Sequence, residues 1–164
     1  MKWVSVNNNS SSHFYELWDT EKKLVSLSVS NRTKISRIEC ASDKRLFFIE
    51  KRGLLQSKTV IKNEYGILMG ELIGENWEAN EGMIVLDGKK YAYSLGTDSA
   101  HELVIYDEAK TRPLVSCSLS SVYDEAPAIV RRSKSLHDTK YPCLLMALCW
   151  YLLKPAVAGV ENIC

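Results

Sequence analysis

Residues Cys143–Leu153, CLLMALCWYLL, are eleven apolar residues without interruption, and they restrict the folds open to this chain more than any other stretch. Leu, Met and Ala favour helix, and the run holds no β-branched residue. Pro142 suits the first helical turn, where its missing N–H costs no bond. Asp138 or Thr139 is the expected cap and Lys154-Pro155 the expected stop. The reading is a buried helix over about 142–154 rather than a strand. A helix apolar on every side has to be enclosed by protein or by lipid. Eleven residues rise only about 16 Å, against the roughly 30 Å of a bilayer interior. No transmembrane span is expected, so the helix must be wrapped by its own domain.

The wrapping has to come from strands. Short runs of strand character fill residues 2 to about 120: Lys2–Asn7, Phe14–Trp18, Leu24–Val29, Ile35–Cys40, Leu46–Glu50 and Ser57–Ile61, then Ile67–Leu72, Met83–Leu86, Lys90–Leu95, Leu103–Tyr106 and Leu114–Leu119. Many alternate apolar and polar side chains, which puts one face on a core and one in water. Asp87-Gly88 tolerates the positive φ of a two-residue hairpin turn. Strands that recur every 8–12 residues with no helix between them predict a mainly β, antiparallel sheet, closed or sandwiched. Segment 120–141, with Pro127, reads as a connection carrying one short strand around Ala128–Arg131. At 164 residues the chain suits a single domain, 1–164, with a tail over 155–164.

Three stretches share one plan, a strand, an Asp or Asn, a short turn and a second strand. They are HFYELWDTEKKLVSLSV (13–29), TVIKNEYGILMGELI (59–73) and LVIYDEAKTRPLVSCSL (103–119), with Trp18-Asp19, Lys62-Asn63 and Tyr106-Asp107 at the turns. Together with the terminal apolar helix, this plan resembles the tubby C-terminal-like superfamily, which includes tubby domains, LURP-one-related proteins and phospholipid scramblases. Asn63 and Gly66 match the D/N-x-x-G turn of LURP-one-type members, and CLLMALCWYLL is similar to the family's central helix. The resemblance implies a closed antiparallel barrel of about 11–12 strands around that helix. No tubby-type phosphoinositide-binding basic pair, scramblase-type cysteine cluster or calcium site is matched, so it implies a binding barrel and not a scramblase.

Composition narrows the function further. Lys and Arg number 21 against 20 Asp and Glu, a net charge of +1, which gives no long-range pull on nucleic acid, and none is expected as a partner. The start MKWVSVNNNSSSHF has no apolar leader run, so the expected compartment is the cytoplasm. Cys40, Cys117, Cys143, Cys149 and Cys164 show no C-x-x-C pair and are expected to be reduced and mostly buried.

Candidate chemistry is sparse. His13, His101 and His137 lie apart without metal-ligand spacing, so no metal is expected. Cys143 near His137-Asp138 could be a thiol nucleophile, but a packed core cysteine is the plainer reading. Gly66, Gly70 and Gly74 suit turns or bulges. Glu75, Glu78 and Glu81 around Trp77 read as a solvated loop rather than an acid–base pair, and no phosphate loop is present. No catalytic residue and no cofactor are assigned. One candidate ligand surface remains: if the barrel gathers Lys44, Arg45, Lys89, Lys90, Arg131, Arg132 and Lys134, they form a patch for an anionic ligand such as a lipid headgroup. The plainer reading is that such basic pairs, Lys51-Arg52 among them, are charges that discourage edge aggregation. The expected function is a non-enzymatic binding or scaffold module, with anionic lipid headgroups as its candidate ligand. The alternatives are an enzyme with a loop-borne site on the barrel rim and a protein-interaction module.

Overall fold

Twelve strands alternate direction along the chain in the computed structural model, which describes residues 1–53, 58–74, 80–96, 101–119 and 128–158, except the side chains of Asn8 and 154–158. They are β1 (Lys2–Asn8), β2 (Ser12–Asp19), β3 (Lys22–Ser30), β4 (Ile35–Cys40), β5 (Arg45–Arg52) and β6 (Lys58–Asn63). β7 (Leu68–Ile73), β8 (Glu81–Leu86), β9 (Lys89–Leu95), β10 (Glu102–Asp107), β11 (Pro113–Leu119) and β12 (Ala128–Arg132) follow. Ser57, Glu75, Trp77, Glu78, Pro127 and Cys164, all named above, lie outside the described residues. Each strand pairs antiparallel with its sequence neighbours, and β1 closes on β12 through Lys2↔Ile129 and Trp3↔Ala128. The result is a closed, mainly β barrel. The short strand expected near Ala128 is the one that seals it.

Period-two patterning sets which side chains enter the lumen. In β4 Ser36, Ile38 and Cys40 are buried while Ile35, Arg37 and Glu39 face out. Inward side chains meet α1 (Pro142–Ala158), a helix lying inside the barrel. Residues 143–150, 152 and 153 are all buried, and at 3.6 residues per turn they point in every direction. The helix packs against β3 and β4 on one wall and β10 and β11 on the opposite wall. Trp150 stacks on Trp3 at 6.0 Å and meets Tyr15 edge-on at 5.4 Å. Among the described residues no helix is long and apolar enough to cross a membrane.

The helix ends differ from the sequence expectation. Tyr141 O accepts the first helical bond, from Leu145 N at 3.0 Å. Asp138 and Thr139 do not cap it, because they close a 3-10 turn over Lys134–Asp138. There the Thr139 amide and hydroxyl both donate to Leu136 O. Lys154-Pro155 does not stop the helix, which runs on to Ala158. A proline at that point removes its own bond to the carbonyl four residues back and crowds that carbonyl, yet the helix continues past it.

The cysteines require a second correction. Cys40, the last residue of β4, is bonded to Cys143, the second residue of α1, across a sequence separation of 103. Only barrel closure brings those Cα atoms to 6.0 Å, so spacing along the chain carries no sign of it. Cys117 and Cys149 are free and buried as expected. Burial pushes the Cys149 thiol well above its ordinary pKa, and its neighbour Cys117 adds to the effect.

The three matching stretches are structurally equivalent. Each hairpin shifts register just before its turn, after Leu17 in β2, Ile61 in β6 and Ile105 in β10, and these positions are 44 residues apart. Trp3, Phe47 and Tyr91 keep the same interval and are all fully buried. Twelve strands are therefore three four-strand units, each with a bulge that re-aims its hairpin.

Candidate ligand-facing pole

An up-and-down barrel sends alternate connections to opposite ends. The turns β2–β3, β4–β5, β6–β7, β8–β9 and β10–β11 share one pole with the β12–α1 connection and the helix start. All seven basic residues singled out from the sequence lie at this pole. Its segments 19–23, 41–45, 62–68, 87–90, 107–112 and 131–141 hold thirteen Lys or Arg against eight Asp or Glu. That local +5 stands in a chain of net charge +1, and the acidic residues that offset it include Glu75, Glu78, Asp98, Asp124, Glu125 and Glu161, which lie outside the described residues. The fold gathers at one pole basic residues that composition does not single out.

The seven are not equivalent. Lys44 is exposed at φ 50 in the β4–β5 turn. Arg45 lies 5.1 Å over the Phe47 ring and 5.3 Å over Tyr141, and Lys89 lies 5.8 Å over Tyr91. These cations sit on the rim, two residues before buried aromatics at equivalent places in two units. Lys90 pairs with Glu108 at 3.7 Å and Arg132 with Asp19 at 3.1 Å. Arg131, on the outer face of β12, and Lys134 are exposed. Lys44, Arg131 and Lys134 have no ion-pair partner among the described residues.

Asp87 organises the centre of this pole. It and Gly88 take φ 48 and φ 77, the two positive values of a primed hairpin turn. Asp87 Oδ2 accepts from Lys140 Nζ at 2.6 Å and from the Tyr141 hydroxyl at 2.5 Å. The Lys140 bond first, and the Tyr141 bond second, hold the Asp87 carboxyl below the usual carboxylate range. The same contact raises Lys140.

A cleft of about 320 Å³ opens beside this turn, lined by Lys89, Lys90, Asp107, Arg112, Asp138 and Thr139 among others. Its chemistry is structural. Asp107 accepts from the Arg112 and Thr111 amides and from both of their side chains. The Arg112 amide is foremost among the bonds that lower its pKa to about 2. A carboxylate so occupied is a poor proton acceptor near neutrality.

The remaining candidates are scattered. Cys143 is in the disulfide and cannot serve as a thiol nucleophile. His13 and His101 stand at the opposite pole from His137. Glu81 accepts from Lys110 Nζ at 2.6 Å. Gly70 lies inside β7, where an added Cβ would collide with Val85 O, so close strand approach requires glycine there.

Sequence reading missed the most exposed apolar side chains of this pole. Tyr65, Ile67 and Leu68 are 80%, 59% and 61% exposed at the β6–β7 tip. Asn63 holds the tip rigid: its Oδ1 accepts from the Tyr65 and Ile67 amides, both at 3.0 Å. The available signal was Ile67-Leu68-Met69, consecutive apolar residues running into a strand whose faces must alternate. Comparison with protein-family models, curated proteins and solved structures gave no match.

Proposed function

We propose that this chain is a non-enzymatic, tubby-like binding barrel whose turn pole docks on anionic headgroups. The carrying observation is the basic pole itself, +5 over its segments in a chain of +1, with Lys44, Arg131 and Lys134 exposed upon it. Each basic residue near an anionic surface contributes about 1 kcal/mol. The expected cytoplasmic location belongs to the same proposal. Disulfides persist mainly in oxidising compartments, so the Cys40–Cys143 bond weighs against that location, and finding the pair oxidised in thiol-blocked cell extracts would remove it.

Sedimentation with phosphatidylcholine vesicles, with and without phosphatidylserine, is the test. Binding should require the anionic lipid, fall with salt, and drop at least tenfold in a Lys44→Glu, Arg131→Glu, Lys134→Glu variant. Binding indifferent to both salt and these charges would sink it. A protein partner is the second reading, favoured by a hollow of about 350 Å³ on the outer face, where Val6 and Phe14 are 57% and 40% exposed.

A further inference from the structure

We infer that the β6–β7 tip is a membrane-inserting wedge, with Tyr65, Ile67 and Leu68 entering the interfacial layer of an anionic bilayer. The inference rests on the headgroup-docking proposal and adds the mode of attachment. Its strongest support is an internal control. The three equivalent turns read Asp19-Thr20-Glu21-Lys22, Asn63-Glu64-Tyr65-Gly66-Ile67 and Asp107-Glu108-Ala109-Lys110-Thr111-Arg112. All three follow the same bulge. Two carry polar and charged crowns, and only the middle one carries large apolar side chains. Closing a hairpin therefore does not require them, and neither does the core, since each is more than half exposed.

Position and charge name the occupant. The tip stands at the basic pole, and strand register places its neighbours. Phe47 pairs with Asn63, so the β4–β5 turn carrying Lys44 and Arg45 is the adjacent turn on that side of the tip. Gly70 pairs with Leu86, and Asp87 N donates to Met69 O at 2.8 Å, so Gly88 and Lys89 flank Leu68. Asp43 and Glu64 are the acidic groups nearby. Lys62 is paired with Glu50 at 2.8 Å and Asp87 with Lys140. An apolar crown between cationic turns fits a surface that is anionic outside and apolar beneath. Tyr suits the boundary, having an apolar ring and a polar end. Asn63 fixes the backbone in advance, so little ordering cost remains on insertion.

The experiment uses the full chain with a nitrobenzoxadiazole label on Ile67→Cys in a Cys164→Ser background, and separately a Tyr65→Ser, Ile67→Ser, Leu68→Ser variant. Vesicles are phosphatidylcholine with and without phosphatidylserine, at low and high salt. Thermal melting checks the fold of each variant. The expected result is a blue-shifted, brighter label only with anionic vesicles, and partitioning about tenfold or more weaker for the triple variant. Salt-sensitive binding with an unmoved label and an unweakened triple variant overturns insertion but leaves headgroup docking standing. No vesicle binding at all removes both. A wild-type dimer that the triple substitution dissociates, without change in vesicle binding, would assign the tip to a second copy and also overturn the wedge.

Discussion

Tyr141 donates its hydroxyl hydrogen to Asp87 Oδ2 at 2.5 Å, which fastens the residue preceding the core helix to the tip of the β8–β9 hairpin. Tyr141 is itself buried and meets the Phe47 ring edge-on at 5.8 Å. One residue thus couples the lumen helix to two hairpins.

Replacing Asp87 by Asn keeps a residue tolerant of positive φ but removes the charge that Lys140 and Tyr141 engage. The expected loss at neutral pH is about 1 kcal/mol, since the site is partly solvated. The Asp87 pKa lies below its ordinary 3.8 in the folded chain. Its contribution is therefore full above the unfolded value and fades as pH falls through the folded one. Denaturant melts at pH 7 and pH 3 should show the gap between wild type and Asp87→Asn narrowing in acid.

The Cys40–Cys143 bond restrains a loop of about one hundred residues. A native cross-link of this span is worth about 2–5 kcal/mol, chiefly through the unfolded chain. A Cys40→Ser, Cys143→Ser variant should melt lower by that amount and be indifferent to reductant, whereas reductant should lower the wild-type midpoint. A wild-type midpoint unmoved by complete reduction would contradict the assignment.

Leu148 is fully buried in the middle of the lumen helix. A carboxylate there has no partner and no water, so Leu148→Asp should fail to fold. Circular dichroism and a cooperative melt are the measurement, and a soluble variant with a sharp transition would disprove enclosure.

Gly70→Ala forces a methyl group against the Val85 carbonyl, which should cost about 1–3 kcal/mol by overpacking. Gly66→Ala meets no atom within 4 Å but sits at φ +74, so its cost should be about 1–2 kcal/mol of backbone strain alone. Chemical denaturation resolves the two. Equal, negligible losses would show that β7 and β8 can separate locally.

The strand runs, the Asp87-Gly88 turn and the buried helix were legible because each depends on residues close in sequence. Period-two alternation assigns faces, and an all-apolar run can only be enclosed. The helix boundary at Lys154-Pro155 was misjudged because local stop signals yield when a helix is held by packing around it. At the candidate site, basic pairs were visible as pairs. That Lys90 and Arg132 are engaged by Glu108 and Asp19, and that Tyr65 and Ile67 stand in solvent, was not.

By itself, then, the sequence determined a mainly β chain with a core helix and a unit repeated three times, since periodicity and apolar content act over short separations. The tertiary structure alone decided the Cys40–Cys143 bond, the gathering of seven basic residues at one pole and the Asp87–Tyr141 contact. Those relations join residues tens to a hundred positions apart, and barrel closure, which no local propensity encodes, sets the distances between them.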